Sequence, residues 1–181
     1  MSPWELCKGG TEHGHQRSLF AWSKIAEQYG FDAAWDKRTY EAGGKEYAES
    51  TYGTANACWP LKWFHATPNG GSLGDSKQSQ QIRGAQKKAE GVKAGVYDTF
   101  LPYPNHYRDS LNVVWQYYGF WLEMKKPGEI KKRSLEQKSF GAAMMNLCYA
   151  CAVADNWEDA ARWIQKYMNG EKIECPVHNA N

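Results

Sequence analysis

Asp98, Glu123 and Lys125 are the residues of this chain whose types and spacing suit a reaction centre. Gly95-Val96-Tyr97-Asp98 is followed, after a gap, by Leu122-Glu123-Met124-Lys125, and both stretches read as strands. Side chains two apart on a strand share a face, so Glu123 and Lys125 point the same way while Met124 points into the core. An acid and a lysine on one face of an otherwise apolar strand are expensive to leave without a task. Asp98 on the neighbouring strand places two carboxylates beside one ammonium. Two carboxylates helped by a strand carbonyl can hold Mg²⁺, a hard cation that prefers oxygen. Such an ion polarises a phosphoryl group and lowers the pKa of water, and a lysine alongside can orient that water or stabilise transition-state charge. The set is what metal-assisted phosphodiester hydrolysis needs. The plainer alternative is a Glu123–Lys125 ion pair on a sheet edge.

The elements that must position these groups follow from periodicity. Thr11 to Tyr29 reads as a helix, with Leu19, Trp22, Ala26 and Tyr29 on one face and Gly30 as the stop. The same stripe runs back through His15 to Glu12, an acid on the inward face near the helix start, where acids also complement the helix dipole. From Phe31 to about Pro60 no period is sustained, which predicts an inserted loop with one short helix. Leu61–Ala66 is a predicted strand, Pro68-Asn69-Gly70-Gly71-Ser72 a turn, and Ser76–Glu90 a basic helix. Strands are predicted at Val96–Leu101 and Tyr118–Met124, with Val113–Tyr117 lengthening the second. A helix from Ser134 should bury Phe140, Ala143, Met144 and Leu147, with Gln137 on the same face. Tyr149–Ala154 is a short apolar strand, and a last helix from Asn156 buries Trp157, Ala160, Ala161, Ile164 and Met168. The expected architecture is α/β, a central mixed β-sheet flanked by α-helices.

At 181 residues the chain fits one compact domain. It has 42% hydrophobic and 23% charged residues, and no apolar run approaches the ~20 residues of a membrane span. No basic-then-apolar leader opens the chain, so the expected location is the cytoplasm. Five cysteines at irregular spacing do not make a disulfide framework. Cys148 and Cys151 read as inert core thiols, and Cys175 with His178 is a weak pairing for zinc. The net charge is only +2, but it is unevenly spread. Lys77, Arg83, Lys87, Lys88 and Lys93 face Glu90 alone, and Lys125, Lys126, Lys131, Lys132, Arg133 and Lys138 face Glu129 and Glu136. Two basic patches suit a polyanion docking on one face, or two solvated helix faces. Asn69-Gly70-Gly71 offers backbone N–H groups to a phosphate, or forms a plain turn. His13 and His15 read as helix-surface histidines. Ser134-x-x-Gln137 is also a capping box.

Asp98 with Glu123-x-Lys125 resembles the D…ExK motif of the PD-(D/E)xK nuclease superfamily, and the wider context resembles its VRR-NUC branch, found alone in bacteria and phages. The pieces that carry the likeness are Glu12-His13-Gly14-His15-Gln16, His65-x-x-Pro68-Asn69-Gly70-Gly71, Gly91-Val92-Lys93-Ala94-Gly95-Val96-x-Asp98, Leu122-Glu123-Met124-Lys125-Lys126-Pro127-Gly128 and Ser134-x-x-Gln137-Lys138. They follow the family's order and span most of the chain outside 31–60 and 103–119. The chain departs from the pattern at Tyr97, where the family usually has proline, and in the stretch from Trp35 to Trp59.

The resemblance implies a single VRR-NUC-like domain over 1–181 with an insertion at about 31–60, built on a restriction-endonuclease-like core. It implies that Asp98 and Glu123 ligate Mg²⁺ or Mn²⁺ with the Met124 carbonyl, that Lys125 is the catalytic lysine, and that Gln137 and Glu12 complete the site. His65, Asn69, Lys87, Lys88, Lys93 and Lys126 are then candidates for DNA contact. The implied activity is endonucleolytic cleavage of branched DNA, four-way junctions first, by a homodimer in a bacterial cell or phage-infected host. A nicking or linear-duplex endonuclease of the same chemistry, or a non-catalytic nucleic-acid-binding module, are the alternatives.

Overall fold

A computed structural model describes residues 1–67 and 89–175. The described elements are α1 (Pro3–Leu6), α2 (Glu12–Tyr29), α3 (Phe31–Trp35), a 3₁₀ turn (Lys37–Tyr40), α4 (Gly44–Thr51), a second 3₁₀ turn (Trp59–Trp63), β1 (His65–Ala66), β2 (Thr99–Leu101), β3 (Asn105–Arg108), β4 (Val114–Tyr117), β5 (Phe120–Met124), α5 (Leu135–Asn146), β6 (Ala150–Ala154) and α6 (Trp157–Met168). The turn and helix expected at 68–88 lie outside the described residues. No described helix is long and apolar enough to cross a membrane.

The helices start and stop where their chemistry directs. Thr11 caps α2 by accepting the Gly14 N–H at 3.0 Å, and Asn156 caps α6 by accepting the Asp159 N–H at 2.8 Å. Leu19, Trp22, Ala26 and Tyr29 of α2 are buried as the stripe predicts. So are Trp157, Ala160, Ala161 and Ile164 of α6, while Met168 is only half-buried. Trp22, Trp35, Trp157 and Trp4 pack ring against ring in succession, with centroid separations of 5.4, 5.5 and 5.1 Å. Trp22 and Trp157 are fully buried and Trp4 and Trp35 pack against them partly buried, holding α1, α2, α3 and α6 together. His15 is buried rather than on the helix surface, and its Nδ1 accepts the Trp157 N–H at 3.2 Å.

The sheet has the order β1-β2-β5-β6, antiparallel except between β5 and β6, so it is mixed as expected. Register pairs Thr99 with Leu122 and Glu123 with Val153. β6 is buried at every position, as a strand covered on both faces must be. Phe120 stacks on Tyr167 of α6, whereas Trp121 meets Phe140 of α5. Alternate residues of β5 thus face opposite helical layers, and Glu123 shares the α5 side with Trp121.

Several expected elements differ. Only His65–Ala66 of the strand predicted at 61–66 pairs, because Trp59–Trp63, with Pro60 at its start, turns as a 3₁₀ helix that buries Leu61. The strand at 96–101 shortens to Thr99–Leu101. Residues 113–117 do not extend β5: Val114–Tyr117 pairs with Asn105–Arg108 as a separate hairpin, its turn held by Asp109 Oδ1, which accepts from Leu111 and Val113 N–H at 2.9 Å. The chain breaks at Gly119, where a Cβ would lie 2.8 Å from the Phe100 ring. Strand β6 begins at Ala150, and Cys148, expected in the core, is exposed with φ +61°. The predicted stripe of α5 is not buried: Phe140 and Met144 are half-buried, Ala143 is exposed and Leu147 is 58% exposed.

The stretch 31–60, expected as a loop with one short helix, holds α3, a 3₁₀ turn and α4. A polar knot joins buried Ala33 and Ala48 there. The Asp36 carboxylate accepts from Arg38 Nη2 at 2.8 Å, Tyr52 Oη at 2.8 Å and Tyr47 Oη at 2.9 Å, and also from the Arg38 backbone N–H. Arg38, more than any other partner, holds this carboxyl well below the usual carboxylate range. A depressed acid pKa contributes stability that is present above the unfolded value and lost as pH falls toward the folded one. Asp36→Asn should therefore destabilise the protein by about 1–3 kcal/mol at pH 7. In urea titrations its deficit relative to wild type should shrink below about pH 4.

Candidate active site

Antiparallel pairing of β2 with β5 brings Asp98, the residue just before β2, beside the end of β5. Its Oδ2 accepts the Met124 N–H at 2.9 Å. The Met124 side chain is fully buried in the core, so the residue presents its peptide group to the site. Thr67, after β1, donates its N–H to the Asp98 carbonyl at 2.8 Å and its hydroxyl to the Tyr97 carbonyl, fixing the backbone before the acid. Thr99 anchors the other side by donating its hydroxyl to the Leu122 carbonyl at 3.1 Å. Neither threonine carries a spacing signal that sequence reasoning could have used.

Glu123 is 1% exposed. Its Oε1 accepts from Lys125 Nζ at 2.6 Å and from Gln137 Nε2, while its buried Oε2 has no hydrogen-bond partner among the described residues. Burial pushes its pKa up to about 8, the negative charge of Asp98 adding to the effect and Lys125 opposing it. A buried carboxylate oxygen without a partner, next to a second carboxylate, is an electrostatic demand for a cation. Asp98 and Glu123 therefore fit a hard divalent ion, with strand carbonyl and water oxygens to complete its shell. Among the described residues no group of three or more His, Cys, Asp or Glu side chains is placed to hold a metal ion.

Lys125 is held from two sides, by Glu123 and by Gln137 Oε1 at 3.1 Å. Gln137 Oε1 also accepts the Ser134 N–H at 3.1 Å, and Ser134 Oγ accepts the Gln137 N–H at 3.2 Å. The capping box and the contact with the acid–lysine pair, open alternatives in the sequence, are made by one amide at once. Glu12 is the first residue of α2 and is exposed, not inward. Partial burial and the charge of Asp98 raise its pKa, while Lys125 and the Lys126 backbone pull it down. It thus lies at the solvent margin of the same group, because the helix start projects past the core that buries His15.

The remaining predicted contacts are dispersed. His65 is exposed on β1, with Nδ1 2.8 Å from the Trp63 carbonyl and its ring edge-on to Phe100. Lys126 is exposed one residue beyond Lys125, and Lys93 is exposed beside the first turn of α5. Asn69, Lys87 and Lys88 lie outside the described residues. Lys131, Lys132 and Lys138 are exposed around the start of α5, and Lys132 pairs with Glu129 at 2.8 Å.

No family model and no curated protein matches the chain. A solved structure described as a VRR_NUC domain protein is similar to it, with a TM-score of 0.53 and 20% identity over 91% of this chain and 93% of that one. The chain has that fold, a mixed sheet flanked by helices, and the expectation of an α/β architecture of this type holds.

The environment of Glu123 has a measurable consequence. An acid whose folded pKa is raised adds stability that is complete below its unfolded value near 4.3 and is lost as pH rises through the folded value. In EDTA, Glu123→Gln should therefore melt increasingly above wild type as pH rises from about 4.5 to 8, with the gap level beyond. Added Mg²⁺ or Mn²⁺ should narrow the gap by stabilising wild type alone. A gap that does not change with pH would contradict the buried, unpartnered carboxylate.

Proposed function

We propose that this protein is a Mg²⁺- or Mn²⁺-dependent DNA endonuclease of the PD-(D/E)xK type, acting on branched DNA as a homodimer in the cytoplasm of a bacterium or phage-infected host. The observation that carries the reading is the buried Glu123 carboxylate, with one oxygen on Lys125 and Gln137 and the other unpartnered beside Asp98. The VRR_NUC description of the similar solved structure supports it at the level of fold.

In this reading Asp98, Glu123 and the Met124 carbonyl would hold the ion, with Glu12 reaching in from the solvent side. The ion supplies positive charge that polarises the scissile phosphoryl group and makes water a better nucleophile. Lys125 spends two of its three N–H donors on Glu123 and Gln137, which leaves one for the attacking water or a non-bridging phosphate oxygen. Holding the ammonium from two sides removes rotamer freedom that a free lysine would lose in the transition state. His65, Asn69, Lys87, Lys88, Lys93 and Lys126 contact the DNA backbone, joined by the exposed lysines at the start of α5. Two protomers related by a dyad would present two such sites to a symmetric junction.

The test is cleavage of four-way junction, flap and linear duplex DNA by wild type, Asp98→Ala, Glu123→Gln and Lys125→Ala in Mg²⁺ or Mn²⁺. Each substitution should lower the single-turnover rate by about 10²-fold or more, with DNA binding in Ca²⁺ retained. Cutting of the junction should exceed that of the linear duplex; the reverse order makes this a duplex or nicking endonuclease. Metal-dependent cleavage that survives in both Asp98→Ala and Lys125→Ala would sink the assignment. Binding with no cleavage under any divalent ion would make the chain a nucleic-acid-binding module.

A further inference from the structure

Gln137 bridges Glu123 and Lys125 from a helix that is lightly anchored. Of the 12 residues of α5 only Gly141 is buried, and Leu135 at its start is 80% exposed. Ala142 and Ala143 are exposed as well, so little apolar interleaving fixes the axis of α5 over the sheet. Besides Phe140 and Met144, which pack against the core, the contacts at its first turn hold this helix in place.

Among the described residues, contacts at that turn come from the residues that lead into Asp98. Gly95 has φ +84°, and a Cβ on it would lie 2.4 Å from the carbonyl carbon of Glu136, so the backbone of this segment touches the first turn of α5 directly. Tyr97 is 0% exposed. Its ring lies 5.3 Å from the Phe140 ring, and its hydroxyl accepts an N–H of Arg133 at 3.4 Å. Arg133 immediately precedes the Ser134 cap, and Phe140 lies one turn beyond Gln137. Phe140 in turn meets Trp121 of β5 edge-on at 5.0 Å. Tyr97 thus grips the turn that carries Gln137 at both of its ends.

We propose that Tyr97 is a positioning residue, seating the first turn of α5 and thereby setting the Gln137 amide against Glu123 and Lys125. The proposal rests on the reading of Glu123 and Lys125 as reaction groups. The physical requirement is tight: Gln137 Oε1 serves both the Ser134 N–H and Lys125 Nζ at 3.1 Å, and a displacement of a few tenths of an ångström takes either bond out of range. Misplacement of a reacting group by about 1 Å can cost about 10²-fold in rate.

The test compares Tyr97→Phe, which removes the Arg133 contact, and Tyr97→Leu, which also removes the ring contact, each in wild-type and Gln137→Ala backgrounds. Tyr97→Phe should slow single-turnover cleavage about 3-fold and Tyr97→Leu about 10-fold or more, with KM changed less than about 2-fold. Both effects should fall below about 2-fold when Gln137 is already alanine, since a residue acting through the amide has nothing left to position. Losses of equal size in the two backgrounds, or full activity in a folded Tyr97→Leu, would overturn the proposal. Tyr97→Phe decides alone if the leucine variant does not fold. Exchange of the Gln137 side-chain amide protons, read by NMR, should quicken from wild type through Tyr97→Phe to Tyr97→Leu. If wild type cuts no DNA, the nuclease reading fails, and unchanged amide exchange in both variants overturns the positioning role independently.

Discussion

The structure turns on one buried carboxylate. Glu123 sits on a strand whose neighbours Leu122 and Met124 are wholly enclosed, and it is itself almost without solvent. Replacing a buried ion pair by apolar residues of similar volume is often neutral or stabilising, so the Glu123–Lys125 pair is poor material for building stability. Its oxygens are divided between a lysine and an amide on one side and nothing on the other. An arrangement that leaves a buried acid half-satisfied is costly to the fold, and that cost is the physical basis of the proposed cation site.

Holding such a site requires rigidity behind it. The Trp4–Trp157–Trp35–Trp22 cluster, with Phe120 on Tyr167, supplies it from the α2 and α6 side of the sheet. Large rings in mutual contact bury much area with few rotatable bonds, so the strand that carries Glu123 is backed by a layer with little freedom. Trp35 belongs to the stretch 31–60, and its Nε1 donates to Gln165 of α6 at 3.0 Å. That stretch is therefore joined to the core by both packing and hydrogen bonding, while the Asp36 knot closes α3 on α4.

The opposite layer is built differently. Helix α5 covers the Glu123 face with half-buried side chains and leaves Leu135 and Leu147 in solvent. Its first turn makes the contacts with the acid and the lysine, because the Gln137 amide that caps the helix with Ser134 also reaches both. A helix end that is both cap and ligand to the site makes the position of the turn, rather than the burial of the helix, the quantity under constraint.

Much of this was legible in the chain. The spacing of Glu123 and Lys125 dictated a shared face because strand side chains alternate, and the stripes of α2 and α6 followed from a period that only a helix satisfies. Ser134-x-x-Gln137 announced the cap. Other features depended on long-range contact and left no local trace. The hairpin of β3 and β4 separated from β5 at Gly119, which passes close to the Phe100 ring, and the 31–60 helices are tied by one aspartate as well as by buried alanines. Glu12 shared the periodicity of His15 yet ended exposed, since a stripe gives a direction and not the edge of the core it faces. The sequence by itself determined which residues could share a strand face or a helix face, because those are properties of backbone geometry. Only the tertiary structure decided that Asp98, Glu123, Lys125 and Gln137 meet, and that one glutamate oxygen stays unpartnered, because burial and hydrogen-bond satisfaction exist only once distant segments have packed.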